Sequence, residues 1–468
     1  MKKALLLLCL VAELISCTKE TFDVNKEDAV GIPMTFNISV VDTKAAKTNW
    51  ANTDKIYVFF NGLATKYLIL EYDGSSWSNT SGGGTLLSTD FDGLGVTTLT
   101  AVHFPIAVDV AYADSKFSFT SGGKPVYNYY LYETGKAYML DGTTVTASLA
   151  MGKPAGFTQI HIAGIEASVE DYTFGCSLIR PVACKSVGTD GTITESVLQA
   201  GARLSGVADA DGGIFAGRLT SPDVAANYIF TLASDDNIYT LNRDSKTLTA
   251  GKMYNFPSPT VTGGANWAVT AASDLYVDLG LSVKWAKWNV GASSETSYGD
   301  YLEWAELRPR TPDNSYNYFS TYLYGDGTDS PSSFSKYTGS DYSVLQPEDD
   351  AAYSNLGGCF RTPTDEEWTE LRSTCTWEWQ TDYNGSGVNG FLVTGTKAGY
   401  TDKSIFIPAG GWKNHNGLRA ANEALSFWSS SQVSGTASEA WGISYYESSL
   451  YQDNIRRCVG RSIRPVSD

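Results

Sequence analysis

Between residues 33 and 258 the chain is written as short strands. Met34-Thr-Phe-Asn-Ile-Ser-Val-Val41, Lys55-Ile-Tyr-Val-Phe-Phe60 and Lys66-Tyr-Leu-Ile-Leu-Glu-Tyr72 alternate apolar and polar side chains or run apolar, and are rich in β-branched and aromatic residues. Asn61-Gly62, Asp73-Gly74 and Gly82-Gly-Gly84, which favour reversal of the chain, separate them. No segment sustains a helical period except a short one at Thr364 to Ser373. Strands at this spacing bury their apolar faces by stacking sheet on sheet, so the expected class is mainly β. The stretch is long for one sandwich. Two in tandem are expected, at 28–145 and 146–258, with a seam near Gly142 to Gly152. Thr247-Leu-Thr-Ala-Gly-Lys-Met-Tyr-Asn-Phe256 reads as a closing strand. Pro257-Ser-Pro259 and Gly263-Gly264 then give a linker at 259–273. Beyond it composition changes: nine of the 12 Trp lie between Trp285 and Trp441, so 274–468 is expected to be a separate domain.

The first residues read as an address. Lys2 and Lys3 precede an apolar run from Ala4 to Ile15, too short to span a bilayer stably. The run ends Leu14-Ile15-Ser16-Cys17, which resembles the bacterial lipobox. That resemblance implies a signal peptide at 1–16, a lipid on Cys17 and a polar tether at 17–27. Several acyl chains on one residue anchor durably where a single chain is marginal. The expected location is therefore outside the cell, at the outer membrane or on a surface appendage.

Composition closes several routes. The net charge is −17 and both halves are acidic, so no basic footprint for nucleic acid exists. Three His, far apart in sequence, argue against a His-built metal centre, and no cofactor is expected. Once 1–16 is removed and Cys17 is lipidated, Cys176, Cys184, Cys359, Cys375 and Cys458 remain. An odd number without a CxxC is neither a disulfide framework nor a redox motif. A bridge between Cys359 and Cys375, on either side of the short helix, stays open.

Two family resemblances follow. Thr43-Lys44-Ala45, Trp50 and Asp54-Lys55-Ile56-Tyr57-Val58-Phe59 resemble the opening of Bacteroidetes fimbrillin-family proteins, and Leu248-Thr-Ala-Gly251-Lys252-Met-Tyr254-Asn-Phe256 resembles their closing strand. The resemblance implies two fimbrillin-type β-sandwiches exported as a lipoprotein. It also implies proteolysis after a basic residue near the first strand, with Lys44 and Lys47 the candidates. The cut removes Met34 to Val41, and the vacated groove accepts a strand from another subunit. The same lysines also read as solvated turn residues.

Val277-Asp-Leu-Gly-Leu-Ser-Val-Lys-Trp285-Ala286, Asn289-Val-Gly-Ala292, Tyr298-Gly299-Asp300-Tyr301 and Trp304-Ala305-Glu306 occur in order. Leu345-Gln-Pro-Glu-Asp-Asp350-Ala-Ala352, Arg361-Thr-Pro363-Thr364, Ile405-Phe-Ile-Pro408-Ala409-Gly410, Trp428-Ser-Ser430 and Gly460-Arg461-Ser-Ile-Arg464-Pro465-Val466 follow. Together they resemble the Fibrobacter succinogenes major paralogous domain over nearly all of 274–468. More distantly they resemble the superfold of C-type lectins and formylglycine-generating enzymes. The implied fold is α+β and lectin-like. Thr364 followed by Glu367 forms a capping box, and Trp368 and Leu371 share one face.

Chemistry is sparse. Cys458 stands alone where oxidising relatives need a pair, and His415 is the only His of the domain. Asp349/Asp350 and Glu303/Glu306 are carboxylate pairs of the kind glycosidic hydrolysis uses, but their landmark positions read as structural. The expectation is a chain without catalytic residues; a polysaccharide-acting enzyme is the third reading. Exposed aromatic rings can stack on sugars. The candidates are Tyr316 and Tyr318 in the loop from Arg310 to Tyr324, and Trp412, Asn414, His415 and Asn416 in a second loop. Asp326 and Asp329 offer oxygen ligands to Ca²⁺, although a solvated turn fits them better. Fusing a folded domain after Phe256 hinders donation of a strand from that end. The leading expectation is therefore a pilus-tip adhesin that receives a strand from another subunit and binds a glycan or a host or bacterial surface protein. The alternative is a stand-alone surface lipoprotein still held by Cys17.

Overall fold

The computed structural model describes residues 20–23, 34–40, 49–80, 82–94, 97–141, 144–259, 267–312, 315–446 and 448–468. The expected signal peptide, Cys17, Lys44 and Lys47 lie outside the described residues. The fold is mainly β, and among the described residues no helix is long and apolar enough to cross a membrane.

The first sheets are built from β1 (Glu20–Asp23), β2 (Met34–Val40), β3 (Lys55–Phe60), β4 (Leu68–Tyr72), β5 (Trp77–Thr80), β6 (Thr98–Phe104), β7 (Asp109–Ala113), β8 (Lys116–Thr120), β9 (Leu131–Ala137), β10 (Met139–Asp141) and β11 (Thr144–Met151). One sheet runs β5-β4-β3-β6-β9 and the other β1-β2-β11-β10. β2 alternates as its sequence requires: Met34, Phe36 and Ile38 are buried, while Thr35, Asn37 and Ser39 are half-buried. It lies antiparallel to β1 and parallel to β11, with Phe36 beside Ala147 and Ile38 beside Leu149. β3 is buried on both faces because the β7–β8 hairpin covers its outer side; the Phe59 and Phe117 ring centroids are 4.7 Å apart.

Residues 157–271 supply β12 (Phe157–Ala163), β13 (Thr173–Cys176), β14 (Ile179–Arg180), β15 (Val182–Gly188), β16 (Ile193–Val197), β17 (Leu204–Ser205), β18 (Val207–Ala208), β19 (Gly212–Leu219), β20 (Ala225–Ala233), β21 (Asn237–Thr247), β22 (Met253–Phe256) and β23 (Ala268–Ala271). They form the sheets β14-β19-β12-β22, with β18 on β19, and β17-β13-β20-β21-β23. Three features depart from the sequence reading. The seam at Gly142 to Gly152 falls on β11, whose parallel pairing with β2 places it in the first sandwich. The two sandwiches also share a sheet, β16-β15-β8-β7, with Ser186 paired to Ser118. Phe157, Val182, Cys184 and Ile214 accordingly pack in the first core. Finally, part of the expected linker at 259–273 is β23, paired antiparallel along β21.

The C-terminal part contains β24 (Tyr276–Val277), β25 (Lys284–Ala286), α1 (Ala351–Leu356), β26 (Phe360–Arg361), α2 (Asp365–Thr374), β27 (Thr376–Gln380), β28 (Gly390–Thr394), β29 (Ser404–Pro408), β30 (Trp412–Asn414), β31 (Gly417–Arg419), β32 (Leu425–Gln432), β33 (Glu439–Tyr446), β34 (Ser449–Arg456) and β35 (Val466–Ser467). β24-β25-β35-β26 brings the domain's two ends together, and β27-β28-β29 and β32-β33-β34 complete the main sheets. The capping box forms as the sequence predicts. Thr364 Oγ1 accepts from the Glu367 amide at 3.2 Å, and the Glu367 carboxylate accepts from the Thr364 amide at 2.8 Å. Trp368 and Leu371 are both fully buried. Asp350 caps α1 and also binds the Thr362 amide and hydroxyl, which ties the two helix starts together. Trp285, Trp304, Trp368 and Trp428 are core residues and Trp377 and Trp379 pack against the core, so six of the nine tryptophans of this part reflect packing.

Candidate functional site

Two regions qualify: the slot filled by β2, and an aromatic surface on the C-terminal domain.

The slot is lined by β11 along one edge and by the first core beneath. Phe36 and Ile38 are exposed by 0% and 1%, so the strand fills its slot as completely as an interior residue would. Both β1 and β2 precede residues 41–48, where Lys44 and Lys47 lie. One cut there would separate the β1–β2 pair covalently from everything after it. The unpaired edge of β11 and three apolar sockets would then be open.

The aromatic surface gathers around the β30–β31 hairpin. Gly460 pairs with Lys413 by two backbone hydrogen bonds, 2.8 and 3.0 Å, which anchor the hairpin to the domain. The Lys413 ammonium sits 4.8 Å from the Tyr301 ring centroid. At the tip, Asn414 Oδ1 accepts from the Asn416 amide at 2.8 Å, and the Asn416 amide group lies 3.1 Å from His415 Nε2. Asn414 therefore shapes the turn. Tyr318 is 40% exposed, and its ring lies 5.9 Å from that of His415. Trp412 is half-buried and meets Tyr446 edge to face at 6.0 Å. Tyr446 escaped the sequence reading; a Tyr-Tyr pair at the end of a strand was its only signal.

Tyr316, expected beside Tyr318 on this surface, is fully buried. Its hydroxyl donates to the Tyr301 carbonyl at 2.6 Å and accepts from the Arg310 amide. Arg310 pins the loop from within by contacting Glu303, Glu306 and the Thr321 carbonyl. Burial, and then the neighbouring Glu306, push the Glu303 carboxyl up to about 9. Both glutamates are thus engaged in holding this loop.

Asp326 and Asp329 are turn tethers. Asp326 accepts from the amides and hydroxyls of Thr328 and Ser332, and Asp329 from those of Ser320. These hydrogen bonds lower the Asp326 carboxyl to about 2 and depress that of Asp329. Their oxygens serve the chain's own backbone, which explains the acidic pair without a cation. The five cysteines are all free thiols, Cys359 and Cys375 included. Burial pushes Cys176 and Cys375 up to about 11 and Cys458 to about 12.

A cleft of about 630 Å³ separates the second sandwich from the C-terminal domain. It is lined by Asp235, Tyr276, Lys284, Tyr353, Cys359 and Arg361 among others. Beside it the two parts are bolted together. Gln199 Nε2 donates to the Ala305 carbonyl and to Asp349, at 2.8 and 2.9 Å. The buried Arg203 guanidinium binds Thr173 and Thr231 on one side and the Ser354 carbonyl on the other.

No family model and no curated protein matches the chain. Among solved structures, a fimbrial protein from Bacteroides ovatus is similar at 12% identity. That match covers 94% of this chain and 99% of the other, with a TM-score of 0.26. A proposed cell adhesion protein from the same species has 14% identity over 54% of this chain and 96% of the other, with a TM-score of 0.25. The fimbrial anchor protein Mfa2 from Porphyromonas gingivalis has 10% identity over 51% and 94%, with a TM-score of 0.23.

Proposed function

We propose that this chain is an exported, non-enzymatic fimbrial subunit that exchanges β2 for a strand of a neighbouring subunit and presents its C-terminal domain for adhesion. The observation that carries this reading is β2 itself. It supplies three core side chains, pairs along β11, and is followed directly by the stretch holding Lys44 and Lys47. Each apolar side chain of this size contributes about 1.5–3 kcal/mol when buried. Losing Met34, Phe36 and Ile38 together costs roughly 5–9 kcal/mol, comparable with the whole stability of a domain. A subunit cut here is therefore driven to refill the slot, and an extended strand of alternating pattern meets both its hydrogen bonds and its sockets.

β23 supports a receiving role. The chain leaving the second sandwich is already paired along β21, and a folded domain follows. A strand at that position is not free to enter another subunit, which favours a place at the distal tip. In this reading the first sandwich runs through β11 to Met151, the second spans β12 to β23, and 274–468 follows, joined by shared sheet and interface; the tip surface is formed by Trp412, His415, Tyr318 and Tyr446. Its ligand class is a glycan or a surface protein.

N-terminal sequencing of protein taken from the cell surface tests the assembly step. A start after Lys44 or Lys47 supports strand exchange. An acylated Cys17 supports instead a lipoprotein that stays anchored and uses its sandwiches as a stalk. Adhesion is tested with the full chain on a glycan and surface-protein array, comparing wild type with Trp412→Ala. Equal binding by both removes the hairpin from the site.

A further inference from the structure

We propose that His161, Asp209 and Asp211 form a site for a divalent transition-metal cation of the Zn²⁺ class, which clamps the β18–β19 turn onto β12. The three residues reach one another through tertiary pairing. β12 and β19 are antiparallel neighbours with Ala163 opposite Gly212, and the Asp211 carbonyl accepts from the Gly164 amide at 3.0 Å. The turn between β18 and β19 is closed by the Asp209 amide donating to the Gly212 carbonyl at 2.8 Å. One ligand atom from each of His161, Asp209 and Asp211 lies within 4.8 Å of the others.

The imidazole carries the argument. His161 is only 9% exposed, and its Nε2 is buried without a hydrogen-bond partner. A buried ring nitrogen left so is costly. The nearest acceptor, Asp211 Oδ1, stands 3.4 Å away. A charge-assisted hydrogen bond closes to about 2.7–2.9 Å. Two ligands each about 2.0–2.2 Å from a tetrahedral Zn²⁺ stand about 3.4 Å apart, the separation seen here. Asp209 and Asp211 are exposed at the mouth of a cleft bordered by Asn255, Phe256 and Pro257, which gives a cation a way in. A nitrogen with two carboxylate oxygens suits Zn²⁺ and its first-row neighbours, whereas Ca²⁺ takes six to eight oxygens. Three protein ligands leave a fourth position for water.

The consequence is mechanical. β12 pairs in parallel with β22, with His161 beside Asn255, and β22 is the last strand of this sheet in chain order. The cation would cross-link the β18–β19 turn to the central strand β12, which in turn carries β22. The test titrates the purified full chain, stripped by a chelator, with Zn²⁺ against a chromophoric competitor. One site per chain is expected, weakened more than about tenfold by Asp211→Asn and abolished by Asp209→Asn with Asp211→Asn. Both aspartates lie on an exposed turn, so these variants keep their fold where a substitution of buried His161 could fail. Zn²⁺ should raise the melting temperature of wild type and leave that of the double variant unchanged. His415→Ala controls for the exposed imidazole and should bind as wild type. Absence of a stoichiometric site, affinity unchanged in the double variant, or displacement by millimolar Ca²⁺ would each overturn the proposal.

Discussion

The Asp326 carboxylate holds the 326–332 turn by accepting from the hydroxyls and amides of Thr328 and Ser332, and those bonds, the Thr328 hydroxyl's first, lower its pKa from 3.8 to about 2. A carboxyl depressed in the folded state contributes order that is complete above its unfolded value and vanishes as pH falls through the folded one. The Thr328 and Ser332 amide resonances should therefore move between about pH 4 and pH 2 in wild type, and sit at their released positions already at pH 7 in Asp326→Ala. If Asp326→Ala leaves them in place at neutral pH, the tether is not what orders the turn. Cysteine reactivity is a second residue-scale outcome. Cys176, Cys184, Cys375 and Cys458 are buried, with thiols pushed up by desolvation, whereas Cys359 is half-buried at the cleft. The four buried thiols are screened from reagent and held protonated, so native protein should take up alkylating agent faster at half-buried Cys359 than at the other four, as read by peptide mass mapping. Equal rates at Cys359 and Cys184 would contradict this. Tyr316 and Tyr318 mark a limit of the sequence at this scale. They are two apart in an irregular loop, one in the core and one at the surface, and without a strand or helix period no pattern assigns their sides.

Elements whose causes are local were legible, and those assembled across the chain were not. The α2 start is written in four adjacent residues, Thr364 to Glu367, and the box forms. Thr364→Ala should cost about 1 kcal/mol in denaturant unfolding, and Thr364→Ser much less. β2 was legible as a strand because its alternation is local, yet its parallel pairing with β11 joins positions about 110 residues apart and leaves no mark in sequence. The β15–β8 pairing that fuses the sandwiches is equally invisible. So is the His161–Asp211 pair, about 50 residues apart, which no ligand spacing announces. The weight of β2 can be measured directly. Phe36→Ala in uncut protein should lower stability by about 3–5 kcal/mol, since the phenyl ring fills a socket closed on all sides. Thr35→Ala on its half-buried face should change it little. A similar small loss at both positions would mean that the strand adds little to the core, and the strand-exchange reading would lose its driving force.

At the scale of the whole molecule, the second sandwich and the C-terminal domain share buried surface. Ala233 and Ile238 of the sandwich form one cluster with Ala272, Ala286 and Phe360, and Ala202 packs with Trp304 and Trp428. Arg203 spans the junction with both sides of its guanidinium hydrogen-bonded. Backbones also approach too closely for side chains: Gly358 has a φ of +52°, and a Cβ there would sit 2.1 Å from the Ser234 carbonyl oxygen. Such a junction couples the unfolding of its two sides, so residues 157–468 should melt in one calorimetric transition of the full chain. Gly358→Ala meets backbone strain and a carbonyl that cannot withdraw without parting the interface. It should split that transition in two, the α2-containing part keeping its own midpoint. Arg203→Ala removes five hydrogen bonds and leaves buried acceptors behind, which should cost about 2–3 kcal/mol in the same measurement. Two independent transitions in wild type would show that the domains are merely tethered. The single transition has a counterpart in the proposed adhesive role: load taken up at the Trp412 hairpin would pass through the Arg203 junction and the shared β15–β8 sheet to the slot of β2.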